Sequence, residues 1–213
     1  NQTSVLVGDF LFAKSFRLMV GSGNRRILEI LSDVTTLMAE GEVLQLISTC
    51  DVGLDEDCYM EVIRNKTAVL ISAACRCGAV LGKVSPVLEE ALADFGMDLG
   101  TAFQFMDDAL DYVADQSEFG KETGHDLEEG KVTLPLIHAL SDCTLEERAR
   151  VEEVVQKEEI ESSDLLYVTD LINRYKGIEY TQMRAGEMVE RAKGRLADFP
   201  DGPEKDALFE VAD

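Results

Sequence analysis

Apolar residues recur every three or four positions along nearly the whole chain, and that spacing confines it to packed helices. Between Asn24 and Thr49, for example, Ile27, Ile30, Leu31, Val34, Leu37 and Met38 share one helical face. Period-two alternation is weak and only 4 of 213 residues are proline, so little interrupts the pattern. The chain reads as all-α. Residues 57–81 predict an interior helix whose small side chains, AVLISAACRCGAVLG, admit close neighbours. Ser85 as N-cap and Pro86 in the first turn open another helix, expected to kink near Gly96 or Gly100 and to run to about residue 115. Shorter helices are expected over 134–140, from the capping-box pattern TLEE at 144–147, and over 163–174 and 180–199. No internal repeat or domain boundary is visible, so residues 1–213 are taken as one domain.

Charge narrows the partners. With 42 acidic and 20 basic residues the formal net charge is -22, which repels nucleic acid and anionic membranes alike. An anionic ligand would need divalent cations or a few placed lysines. The 5 cysteines are scattered and only 2 histidines are present, which argues against zinc and for a reduced, cytoplasmic setting. No apolar run reaches transmembrane length, so no stable membrane anchoring is expected.

Against this background the stretch FQFMDDALDY, Phe103 to Tyr112, is anomalous. Asp107, Asp108 and Asp111 sit among Phe103, Phe105, Met106, Leu110 and Tyr112, and buried charge is costly unless something pairs with it. Residues four apart share a helical face, so Asp107 and Asp111 point together and repel unless a cation bridges them. Mg²⁺ fits, because it takes one or two carboxylates and completes its shell with water and phosphate oxygens. The plain alternative is an acidic, solvated face, and the apolar flanks argue against it.

Other candidates surround this motif. Residues 115–133, DQSEFGKETGHDLEEGKVT, are polar and carry three glycines, with Lys121 and Lys131, either side of Asp126, placed to close over a phosphate or simply to face solvent. Lys66 and Thr67 interrupt an otherwise apolar helix, although a lone lysine there more often snorkels or pairs with an acid. Glu42 and Gln45 are either a helix face or the polar wall of a pocket. Asp9 reads as structural, Asp51, Asp55, Glu56 and Asp57 as acids favoured at a helix start, and Cys75 and Cys77 as small packing residues.

In order, the segments GDFLFAKSF, AEGEVLQL, NKTAVLISAA, GTAFQFMDDALDY and FGKETGHDLEEGKVTLPLIHAL closely resemble the trans-type polyprenyl diphosphate synthases, especially the long-chain octaprenyl type. The likeness is strong to about Leu140 and looser beyond. It implies an isoprenoid-synthase helical bundle around a central cavity, Mg²⁺ as cofactor, and substrates that are an allylic diphosphate and isopentenyl diphosphate. By the same likeness Asp107, Asp108 and Asp111 would hold the metal. Lys66 and Lys121 would bind the allylic diphosphate, with Lys131 a weaker phosphate candidate. Thr67 and Gln104 would steady the allylic cation, and small, Met and Phe side chains would wall an apolar tunnel. A homodimer is implied, with Val5 to Phe16 and Glu42 to Ile47 available as its interface. The family's first aspartate-rich motif and its isopentenyl diphosphate site have no counterpart here. The chain is thus expected to lack N-terminal helices of the bundle and to be inactive alone. A non-catalytic subunit and a terpene cyclase of the same fold are the rival readings; the retained acids and lysines weigh against the first, the lysine-bearing loop against the second.

Overall fold

The computed structural model describes residues 2–113, 124–157 and 159–213, and every regular element among them is helical. Helix α1 (Gln2–Gly21) is followed by α2 (Arg25–Ile47), whose first turn is closed by Asn24 accepting from the backbone N–H groups of Arg26 and Ile27. Asp55 caps α3 (Glu56–Ile63), so the acids around it take the helix-start role expected of them. The chain continues without a break through a π-helical turn (Arg64–Ala68) into α4 (Val69–Gly82). Helix α5 (Pro86–Val113) is the longest, and Ser85 accepts from the Leu88 N–H at its start. Then come α6 (His125–Glu128), α7 (Leu134–Asp142), α8 (Leu145–Val155), α9 (Ser162–Arg174), α10 (Gly177–Arg195) and α11 (Pro203–Ala212). The Thr144–Glu147 capping box forms as expected. Helix α11 had no periodic signal strong enough to announce it, although Gly202-Pro203 marks its start.

Helix α5 is the axis of the bundle, with α4 along one side and α10 along the other. The main core gathers Tyr59, Phe105, Leu127, Leu134, Leu136, Val151, Leu171 and Ile172 between α3, α5 and the C-terminal helices. Burying each such side chain contributes roughly 1.5–3 kcal/mol, which is the main force holding α5 in place.

The kink expected at Gly96 or Gly100 is replaced by close packing, since α5 is helical throughout. A Cβ on Gly96 would stand 2.7 Å from Ser72 Cα, and one on Gly100 would stand 2.6 Å from Ala68 Cα. Both distances are closer than carbon atoms tolerate, so α4 and the π-turn can lie against α5 only because these positions have no side chain. Gly41 of α2 does the same from the other side, where a Cβ would meet Lys66 N at 2.7 Å. Two glycines therefore grip the π-turn that carries Lys66 and Thr67.

Apolar exposure is concentrated at the front. Of the 20 residues of α1 only Met19 is buried, while Val5, Leu6, Phe10 and Leu11 are each at least 60% exposed. On α5, Phe105 and Tyr112 are buried as expected, but Phe103, Met106 and Leu110 lie on the helix's exposed face. Among the described residues no helix is long and apolar enough to cross a membrane. All five cysteines are unbridged.

Candidate active site

A cavity of about 200 Å³ opens where α2, the π-turn, α5 and the segment 126–133 converge. Its polar wall includes Gln45, Lys66, Thr67, Gln104, Asp107, Asp108, Asp126 and Lys131, so residues from four distant stretches meet at one place. Lys66 and Thr67 reach it from the π-turn, a widened turn that recurs at functional sites because it re-aims side chains within a rigid helix. Lys66 Nζ donates to Gln45 Oε1 at 2.7 Å and lies 3.4 Å from a Glu42 carboxylate oxygen. Glu42 and Gln45 thus hold the lysine at the cavity rim, with Gln45 on the cavity wall itself.

Three hydrogen bonds run in series across the floor. Thr67 Oγ1 donates to Gln104 Oε1 (3.1 Å), Gln104 Nε2 donates to Asp108 Oδ1 (2.7 Å), and Tyr59 OH donates to Asp108 Oδ2 (2.5 Å). Asp108 is only 3% exposed, and burial pushes its carboxyl up to about 7 even though the two donors pull it down. Burial, with the Asp108 charge added to it, raises the Tyr59 phenol well above its usual range.

The motif's three acids occupy three different environments. Asp107 is exposed, lines the cavity, and has no hydrogen-bond partner among the described residues. Asp108 is buried between its two donors. Asp111 turns to the returning chain, accepting from the backbone N–H groups of His125 (3.2 Å) and Asp126 (2.9 Å). Its carbonyl also accepts from Gly124 N at 2.9 Å. Burial raises the Asp111 carboxyl, and these backbone bonds oppose the rise. Among the described residues no three His, Cys, Asp or Glu side chains are already gathered as a metal cluster.

Asp126 was visible in the sequence only as part of a polar loop, and the structure sets it on the cavity wall together with Asp107 and Asp108. Lys131 Nζ contacts Asp126 Oδ1 at 2.9 Å and Glu129 Oε2 at 2.6 Å. Burial alone would lower the Lys131 ammonium; the two carboxylates outweigh it and raise it. Loop glycines make this placement possible. Gly124, at φ +87°, leaves no room for a Cβ against Leu165, and Gly130, at φ +71°, receives the Cys50 N–H on its carbonyl at 2.8 Å. Thr133 Oγ1, on the cavity wall, is buried without a partner among the described residues. Lys121 lies outside the described residues.

Tyr59, Asp126 and Thr133 are the site residues that sequence reasoning did not single out. Tyr59 precedes Lys66 by two helical turns, which is the periodicity that could have found it.

The described residues thus form an all-α bundle with carboxylates and lysines lining one cavity. The chain belongs to the polyprenyl synthetase family, whose sequence pattern matches residues 1–172. It is 41% identical over its full length to octaprenyl diphosphate synthase of Escherichia coli, and 39% identical over 99% of its length to a nonaprenyl diphosphate synthase of Rhodobacter capsulatus. It covers 65% and 64% of those two proteins, so the chain spans about 65% of the length of the curated relatives it matches. Among solved structures, a polyprenyl synthase of Caulobacter crescentus complexed with calcium and isoprenyl diphosphate superposes with a TM-score of 0.93 at 41% identity. That match covers 99% of this chain and 64% of the other.

Proposed function

We propose that the protein elongates an allylic diphosphate with isopentenyl diphosphate, releasing a long-chain, octaprenyl-like polyprenyl diphosphate that serves as a quinone side chain. The observation that carries this reading is the meeting of Lys66 and Lys131 with Asp107 and Asp126 around one cavity beside the Thr67–Gln104 pair. In the reaction the allylic carbon–oxygen bond breaks and its electron pair leaves with the diphosphate. The double bond of isopentenyl diphosphate attacks the allylic cation, and the departed diphosphate takes the proton that the resulting tertiary cation gives up to restore a double bond. Lys66, Lys131 and Lys121 neutralise phosphate oxygens, while the Gln104 carbonyl and the Thr67 hydroxyl present negative dipole ends to the cation.

The donor set suits Mg²⁺, because every candidate ligand is a carboxylate oxygen. By the family likeness Asp107, Asp108 and Asp111 would all hold the metal, and the geometry supports a division of labour among them. Asp107 and Asp126 would hold the ion, with Asp111 fixing Asp126 through its backbone N–H. When bound, Mg²⁺ neutralises the charge that develops on the departing diphosphate.

Two further readings rest on surface features. The exposed apolar residues of α1, together with Val43, Leu46 and Ile47 of α2, support a homodimer joined along this face. Five unbridged cysteines support a cytoplasmic location. Because these 213 residues hold a single aspartate-rich motif, we also infer that they do not turn over alone.

Radiolabelled isopentenyl diphosphate, an allylic primer and Mg²⁺ test the assignment. The complete protein is expected to form extended product and the 213-residue chain none. Failure of the complete protein sinks the functional reading, and steady product from the 213-residue chain sinks the inference of inactivity.

A further inference from the structure

We infer that Asp108 is a positioning residue whose carboxylate, anchored by Tyr59, sets the orientation of the Gln104 side-chain amide; this rests on the synthase reading above. The amide has one end that only donates and one that only accepts. Asp108 Oδ1 stands 2.7 Å from Gln104 Nε2, so the NH₂ end is held toward the buried acid. The carbonyl end is thereby turned toward Thr67 Oγ1, 3.1 Å away, and the cavity. A flipped amide would set its NH₂ dipole, positive end outward, where an allylic cation has to be stabilised. The orientation is not left to the glutamine.

Three observations separate this role from metal binding. Asp108 is 3% exposed, each of its oxygens already receives a hydrogen bond, and Tyr59, which supplies one of them, is itself 3% exposed. Phe105 stacks on the Tyr59 ring with centroids 6.2 Å apart, which fixes the phenol that fixes Asp108. Protonated or ionised, the carboxyl group keeps Oδ1 as an acceptor for Gln104, so the clamp does not need a charge.

In Asp108→Asn the amide oxygen still accepts from Gln104 and the new NH₂ faces the Tyr59 oxygen, so orientation survives while the carboxylate charge is gone. In the complete synthase, Asp108→Asn is expected to keep kcat within about fivefold of wild type. Asp108→Ala is expected to lose about 100-fold in kcat with KM for the allylic diphosphate changed less than about threefold, and Tyr59→Phe about fivefold. If Asp108→Asn falls as far as Asp108→Ala, or its Mg²⁺ requirement rises sharply, Asp108 binds metal and the inference is overturned. A second readout needs no turnover. The Gln104 side-chain NH₂ resonances should shift in Asp108→Ala and Tyr59→Phe, yet hold in Asp107→Asn. Unmoved resonances in Asp108→Ala overturn the inference even if the synthase reading stands. The expected shifts in an inactive complete protein would sink the synthase reading alone. Should Asp108→Ala fail to fold, Asp108→Asn and Tyr59→Phe decide the question between them.

Discussion

Two aspartates on α5, ten residues apart, are equally buried and do opposite things. Asp98 and Asp108 are each 3% exposed. Asp98 faces α10, where Arg191 Nη2 lies 2.5 Å from one oxygen and Arg195 Nε 3.3 Å from the other. Asp108 faces the cavity and meets only neutral donors, Tyr59 and Gln104. The middle of the helix is riveted by charge; its C-terminal part is held by hydrogen bonds that leave the acid a proton acceptor near neutrality. The contrast teaches that burial alone does not assign a carboxylate its work. Its partners do.

The pair can be driven apart experimentally, most strongly by pH. Unfolded, Asp108 ionises near 3.8, and folded, near about 7. Between those values the folded chain holds a proton that the unfolded chain has released. Stability attributable to Asp108 is therefore fully present below pH 4, falls as pH rises through 7, and is level above that, a change of roughly 4 kcal/mol. Subtracting the denaturant-unfolding profile of Asp108→Asn from that of wild type, without metal, should isolate this slope; a flat difference would refute it. Asp98→Asn should instead destabilise the chain by about 2.5 kcal/mol near neutral pH, because it takes the charge from the two charge-assisted hydrogen bonds that half-exposed Arg191 and Arg195 make to a buried carboxylate. A loss below about 1 kcal/mol would show that the α5–α10 rivet is weak, as exposed pairs are. The smallest expected change tests what separates the two aspartates. Gly100→Ala should cost about 2 kcal/mol by pushing Ala68 and the π-turn away, since its Cβ would sit 2.6 Å from Ala68 Cα. Thermal unfolding reads the loss, and an unchanged midpoint would mean that the π-turn gives way freely.

Much of the helical framework was legible in the sequence. The 3.6-residue period located α2, the rod from α3 through α4, and α5, while Ser85 marked the start of α5 and Thr144 that of α8 by chemistry that acts within three residues. The cavity was legible through its motif residues Lys66, Thr67, Gln104, Asp107 and Asp108. Its other members were not. Asp126 looked like one acid among many in a polar loop until Gly124 and Asp111 turned that loop back onto α5. Gly96 and Gly100 looked like points of bending, because a sequence records a missing side chain without recording the helix that fills its place.

By itself, then, the sequence determined that the chain is helical, where most of its helices begin, and which stretch holds carboxylates in apolar surroundings. Only the tertiary structure decided what each acid does. Asp108 meets Tyr59 across 49 residues of chain, and Asp98 meets Arg191 across 93 and Arg195 across 97. Periodicity and capping act within a turn or two of helix. Whether a buried carboxylate stands opposite an arginine or a phenol depends on which distant helix packs against it, and that is settled only when the bundle closes around α5.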